Sequence, residues 1–147
     1  MRWTTNDFDA LSWHDCSFYG FRLEEREHGT AELEFDIDYI VEWLCAPQRQ
    51  PQFRVAPATL TFHNAFGLKF EVDYAAASAG MVPFSVSGIE REMIPYPGGH
   101  SSYRWRLPIN WPHGVITFES PGFTQILRRP PLVVERQALL AHERTAG

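Results

Sequence analysis

Lysine is nearly missing from this chain: Lys69 stands alone beside twelve arginines. A basic face of the kind that meets nucleic acid is not expected, since the formal net charge is -5. Cysteine is scarce as well. Cys16 and Cys45 form no CxxC and no Cys/His spacing, which removes the common zinc sites and a disulfide framework. Two free thiols and an acidic N-terminus without an apolar signal region make a reducing cytoplasm the expected location. No apolar run approaches the ~18 residues of a membrane-spanning helix, so no membrane partner is expected. Also missing are GxGxxG, GxxxxGK[ST], GxSxG, HExxH and an EF-hand loop. Their absence argues against the familiar nucleotide, hydrolase, metalloprotease and calcium sites, and no cofactor is expected.

Aromatic residues are plentiful instead, with eleven Phe, five Tyr and five Trp among 147 residues. Each buried ring removes ~150–250 Å² from water, so a single domain over residues 1–147 can build its core without metals or disulfides. Acidic charge is concentrated early. Residues 1–74 hold thirteen acids and six bases, net -7, whereas residues 75–147 hold five acids and seven bases, net +2.

The clearest pattern covers residues 31–44. Odd positions read Leu33, Phe35, Ile37, Tyr39, Val41 and Trp43, while even positions read Glu32, Glu34, Asp36, Asp38, Ile40 and Glu42. A helix would scatter those carboxylates around its surface; a strand sends one set inside and the other into water. Tyr19, Phe21 and Leu23 alternate with Arg22 and Glu24 just before, and Glu27-His28-Gly29-Thr30 joins the two strands as a hairpin loop. A second hairpin is expected from Leu60 and Phe62 through Asn64-Ala65-Phe66-Gly67 to Leu68, Phe70, Val72 and Tyr74.

Residues 45–57 read as an irregular link, 75–80 as a small-residue loop, and 83–92 as a weaker strand with Gly88 as a bulge. Further strands fall at 103–109, 115–119 and 123–128, with a short last one at 132–135. A helical turn is expected at Phe8 and Leu11, behind Thr5 and Asn6 as caps. Residues 137–144 suit a frayed helix within a partly loose tail, 130–147. Short turns without a helical crossover require antiparallel pairing. The expected fold is therefore all-β, a single-domain sandwich or barrel of about eight or nine strands with short terminal helical turns.

Three groups of residues could carry function. The acidic row Glu32, Glu34, Asp36, Asp38 and Glu42 is open to three readings: a solvated face, a docking surface for a basic protein partner, or a hard-cation or acid/base site at Asp36 and Asp38. Tyr96, His100, Tyr103, Trp105, Trp111 and His113 lie in or beside Gly/Pro-rich loops, where they either line the mouth of a small-ligand site or cap the core. His14 and Asp15 suit a metal ligand or general base with its orienting carboxylate, or else ordinary turn hydrogen bonds. His63 reads as a surface histidine on the polar face of its strand.

Leu11-Ser12-Trp13-His14-Asp15-Cys16, with Phe35-Asp36-Ile37-Asp38-Tyr39-Ile40 further on, resembles the opening of small uncharacterised bacterial proteins, some of which are similar to immunity proteins that neutralise a toxin. The likeness covers residues 11–43. It implies a β-rich bacterial binding protein and supplies no catalytic residues. The leading expectation is thus a non-enzymatic, immunity-like protein whose acidic strand face engages a basic partner. A ligand-binding barrel and a metal-dependent enzyme around His14 and Asp15 stand as alternatives.

Overall fold

Side chains that alternate between oil and water must pair edge to edge, and here every strand pairing is antiparallel. The computed structural model describes residues 1–76 and 80–145. The loop expected at 75–80 and the end of the tail fall partly outside the described residues. Among the described residues ten strands are present: β1 (Arg2–Thr4), β2 (Ser17–Glu25), β3 (Ala31–Leu44), β4 (Gln52–Val72), β5 (Phe84–Val86), β6 (Glu90–Pro95), β7 (Ser101–Trp111), β8 (Gly114–Ser120), β9 (Gly122–Leu127) and β10 (Leu132–Val134). A 3-10 turn at Thr5–Ala10 stands where a helical turn was expected, another closes the β2–β3 hairpin at Glu27–Gly29, and a short helix, α1 (Ala141–Thr145), follows β10. No helix of the described residues is long and apolar enough to cross a membrane.

β4 corrects the second expected hairpin. Asn64-Ala65-Phe66-Gly67 does not reverse the chain; it lies inside one strand of 21 residues. Asn64 and Gly67 both take positive φ, +46° and +66°, and each accompanies a register shift that gives β4 one extra residue against its neighbour. Bulges use the same residue types as tight turns, because both need backbone that β-carbons disfavour. The two bulges bend β4 away from β3 and lead its second half onto β8. The link expected at 45–57 is shorter too, since residues 52–57 already pair with β3. The weak strand expected at 83–92 is split into β5 and β6 around Gly88.

The bend lets the ladder close. β3 pairs with β4, β4 with β8, β8 with β7, β7 with β5, β5 with β2, and β2 again with β3. This circuit is a barrel, which settles the choice between barrel and sandwich. β9, β1 and β10 extend the sheet from the first half of β4, and β6 extends it from β7. Side chains fill the interior. Phe62 has Phe118, Trp105, Phe123 and Phe35 around it at centroid distances of 4.6, 5.0, 5.9 and 6.1 Å. Trp13, Phe8 and Leu11 close the end of the core beneath β1 and β9.

Leu33, Phe35, Ile37 and Tyr39 point inward as the alternation requires. Trp43 does not. A bulge between Ile40 and Glu42 breaks the rhythm, and Trp43 is 41% exposed beyond the end of the core, against Phe53 and His14.

Candidate binding site

The acidic row is not a free face. Arg22 donates to Glu34 at 2.6 Å, and Arg54 to Glu42 at 3.3 Å. Glu32 lies 3.0 Å from His63 Nδ1 and accepts from the Asn64 N–H at 2.9 Å. Asp36 Oδ1 accepts from Arg128 and Arg144, both at 2.6 Å. Asp38 has no exposed surface. Its carboxylate accepts from the Tyr19 hydroxyl at 2.6 Å, from the Leu139 N–H at 2.9 Å, and from Arg144. The guanidinium of Arg144 also lies 3.7 Å from the Tyr19 ring centroid. The expectation of a water-facing row is corrected at Asp38, which Leu139 and Arg144 of the tail cover, whereas Asp36 keeps about half of its side chain, 47%, in water.

Residues 132–145 of the tail are therefore docked rather than frayed. β10 pairs with β4, Gln137 donates to Asp15 at 3.0 Å, and Arg144 anchors the last turn. Glu143 accepts from the Leu140 N–H at 2.7 Å and from Arg136 at 2.6 Å. Those donors hold its carboxyl below the ordinary carboxylate range.

His14 and Asp15 act as a junction. His14 Nδ1 lies 3.1 Å from the Ser87 carbonyl, and its ring stacks on Trp43. Asp15 takes positive φ and accepts from Asn110 and Gln137, both at 3.0 Å. One carboxylate thus ties the N-terminal loop to β7 and to the tail. Among the described residues, no group of three His, Cys, Asp or Glu side chains is placed to hold a metal ion. Cys16 is buried, and burial pushes its thiol up to about 12, so it serves as a small core residue.

The expected aromatic mouth does not assemble. Trp105 is fully buried, with its indole N–H donating to the Ser120 carbonyl at 2.9 Å. Tyr103 is half-buried under the Arg91 guanidinium, 4.6 Å from its centroid. Tyr96 and His100 sit at one end of β7, where the Tyr96 hydroxyl donates to Glu119 at 2.5 Å. Trp111 and His113 pack on each other at the other end, roughly 30 Å away at strand rise. Alternation along β7 makes Tyr103, Trp105, Leu107 and Ile109 a core stripe, and the loop aromatics at its two ends never meet.

His63 has more partners than a solvent-facing histidine. Its Nε2 lies 2.7 Å from Thr124 Oγ1 and its Nδ1 3.0 Å from Glu32, the hydrogen-bond order of a nucleophile, base and orienting acid. Thr124, however, lies within β9, laddered to β1 on one side and β4 on the other. Its backbone groups are committed to those ladders and are not aimed at a developing oxyanion. The triad is a cross-strand tie. Burial alone would raise the Glu32 carboxyl, but His63, the Asn64 N–H and Arg26 hold it below its ordinary value of 4.5. A lowered native pKa stabilises the fold above the unfolded value and is lost as pH falls through the folded one. Glu32→Gln should therefore cost about 1 kcal/mol near neutral pH and nothing in strong acid, as read from urea midpoints across a pH series. An equal cost at both extremes would refute the assignment.

A crevice that sequence reasoning missed lies where the barrel opens. Phe18, Phe21, Phe35, Phe70, Val72, Tyr74 and Phe84 line it, with Met81 and Val82 at the rim and a volume of about 410 Å³. Phe21 stacks on Phe70 at 5.2 Å and Phe18 on Phe84 at 5.6 Å, so the lining is set by ring packing. The Tyr74 hydroxyl donates to the Val82 carbonyl at 2.7 Å and holds one rim in place.

No family model, curated protein or solved structure matches this chain. The functional reading therefore rests on its own geometry. The crevice exists because β5 is only three residues long and leaves β2 after Phe18. A register shift between Phe18 and Gly20 then turns β2 outward, and the inward row of β4 stays half-covered opposite it. The parity of Phe21, Phe70 and Val72 was readable from the sequence, but the loss of their covering strand was not.

Proposed function

We propose that this chain is a binding protein that holds a basic protein partner by seating one of the partner's apolar side chains in the aromatic crevice. The observation that carries the reading is an open, ring-lined cavity of about 410 Å³ built mostly by the acidic half of the chain. Aromatic anchors in desolvated pockets supply most of the energy of protein interfaces, and unlike charge speeds encounter. The charge that favours a basic partner is the net -7 of residues 1–74 rather than a carboxylate at the rim, since Glu71 alternates away from the crevice and is held by Lys69 at 3.2 Å. An immunity-like role fits this reading, with the contact moved from the acidic row to the crevice.

Labelled peptides with a central Leu or Phe flanked by Arg and Lys provide the test, against the same peptides flanked by Asp and Glu or carrying Ala at the centre. Fluorescence anisotropy should show binding of the cationic, anchored peptides alone. Val82→Trp, which fills the crevice from an exposed position, should weaken that binding about tenfold or more. Binding that ignores both the anchor and Val82→Trp would overturn the proposal. A small apolar ligand is the second reading, because the volume falls in the ~300–1,000 Å³ range of such sites. Anchor-dependent binding without charge dependence would favour it.

A further inference from the structure

β2 presents a strand edge that no other strand of the described residues covers. Its pairing with β5 ends at Phe18, while its pairing with β3 continues to Glu25. The outward N–H and C=O groups of residues 20–25 have no ladder partner among the described residues. Phe21 and Leu23 on this stretch are 46% and 55% exposed. Open edges with apolar side chains pair readily with another strand.

The residues along this edge are complementary to themselves. Two copies set antiparallel about a two-fold axis at Leu23 place Leu23 opposite Leu23, and Arg22 opposite Glu24 of the second copy. Phe21 then faces Glu25, and Gly20 faces Arg26. Moving the axis one residue, to Arg22 or to Glu24, sets like charges directly against each other. Arg22 already holds Glu34 at 2.6 Å across β3, so the Leu23-centred register extends an alternating row of Glu34, Arg22 and the second copy's Glu24.

We propose that the free edge of β2 pairs with the same edge of a second copy, forming a two-fold dimer through residues 20–26. This goes beyond the crevice reading and does not depend on it: the edge shares Gly20 and Phe21 with the crevice wall, but the strand pairing needs no occupant in the crevice, and Val82 lies off the edge. An edge of seven residues belongs to the small, weak class of interfaces, so the dimer forms reversibly with concentration.

Sedimentation equilibrium of the full chain at rising concentration tests the proposal. Wild-type protein should pass from monomer to dimer. Arg22→Glu and Glu24→Arg should each weaken association about tenfold, because the two-fold axis repeats every mismatched pair. The R22E/E24R double variant restores opposite signs across the axis and should recover it. Leu23→Lys should abolish it. Hydrogen exchange adds a reading on unaltered protein: amides 20–25 should gain protection as concentration rises. A chain monomeric throughout, single variants without effect, or a double variant as weak as either single one would overturn the dimer.

Discussion

Arg144→Ala is expected to lower the unfolding free energy by about 3 kcal/mol, the low end for breaking a buried ion pair by removing one partner. The size follows from what is left behind. Asp38 has no exposure, and without the guanidinium it retains only neutral donors, the Tyr19 hydroxyl and the Leu139 N–H. Asp36 loses less, because Arg128 still reaches it. Urea unfolding followed by far-UV circular dichroism measures the loss. The D38N/R144A double variant should recover most of it, since an amide needs no counter-charge, and that coupling separates an ion-pair effect from simple loss of packing. A cost below about 1 kcal/mol for Arg144→Ala would mean that water reaches Asp38 freely and that the tail is not the cover described above.

Trp105→Ala should be the most damaging single change, at about 4 kcal/mol or more. Its ring meets Phe62, Phe8 and Phe123 at 5.0, 5.7 and 5.9 Å, so truncation leaves a cavity walled by rigid aromatics that cannot collapse into it. The Ser120 carbonyl also loses its indole donor inside the core. Domains of this size have only ~5–15 kcal/mol in all, so the variant should be partly unfolded at ordinary temperature. Trp105→Phe keeps most of the volume and should cost about 1–2 kcal/mol. Thermal melts distinguish these outcomes. Were Trp105 the wall of a ligand mouth, as its sequence neighbourhood suggested, the alanine variant would melt close to wild type.

The legibility of this chain follows the range of its interactions. Alternation is a property of neighbouring residues, so β3 and β7 could be read directly, as could the inward set Leu33, Phe35, Ile37 and Tyr39. In β2, by contrast, a bulge after Phe18 buries Phe18 in place of Tyr19 and leaves Phe21 and Leu23 exposed. Turn chemistry was ambiguous at Asn64 and Gly67, because a bulge and a hairpin ask for the same positive-φ residues. What covers a face is a long-range matter. Asp38 and Leu139 are 101 positions apart, and no local pattern marks Asp38 as buried. Four carboxylates, Glu32, Glu34, Asp36 and Asp38, were correctly placed on one face of β3, and the bulge before Glu42 takes the fifth out of that row. Arg22, on the neighbouring strand, could be expected to pair with the row and does so at Glu34, but Arg54, Arg128 and Arg144 were not locatable from spacing. The crevice was hidden for the opposite reason, since it depends on a strand that ends early rather than on a residue that stands out.

The length of β4 bears on how the chain can be handled. Asn64-Ala65-Phe66-Gly67 looks like a surface loop and would be a natural place for a tag, a cut or a circular permutation. It is instead the shared seam between the β3 and β9 ladders and the β8 ladder. A break there severs the two flanks from each other, so neither half of the chain amounts to an independent folding piece. The molecule is expected to open as one cooperative unit, with the amides of β4 exchanging last.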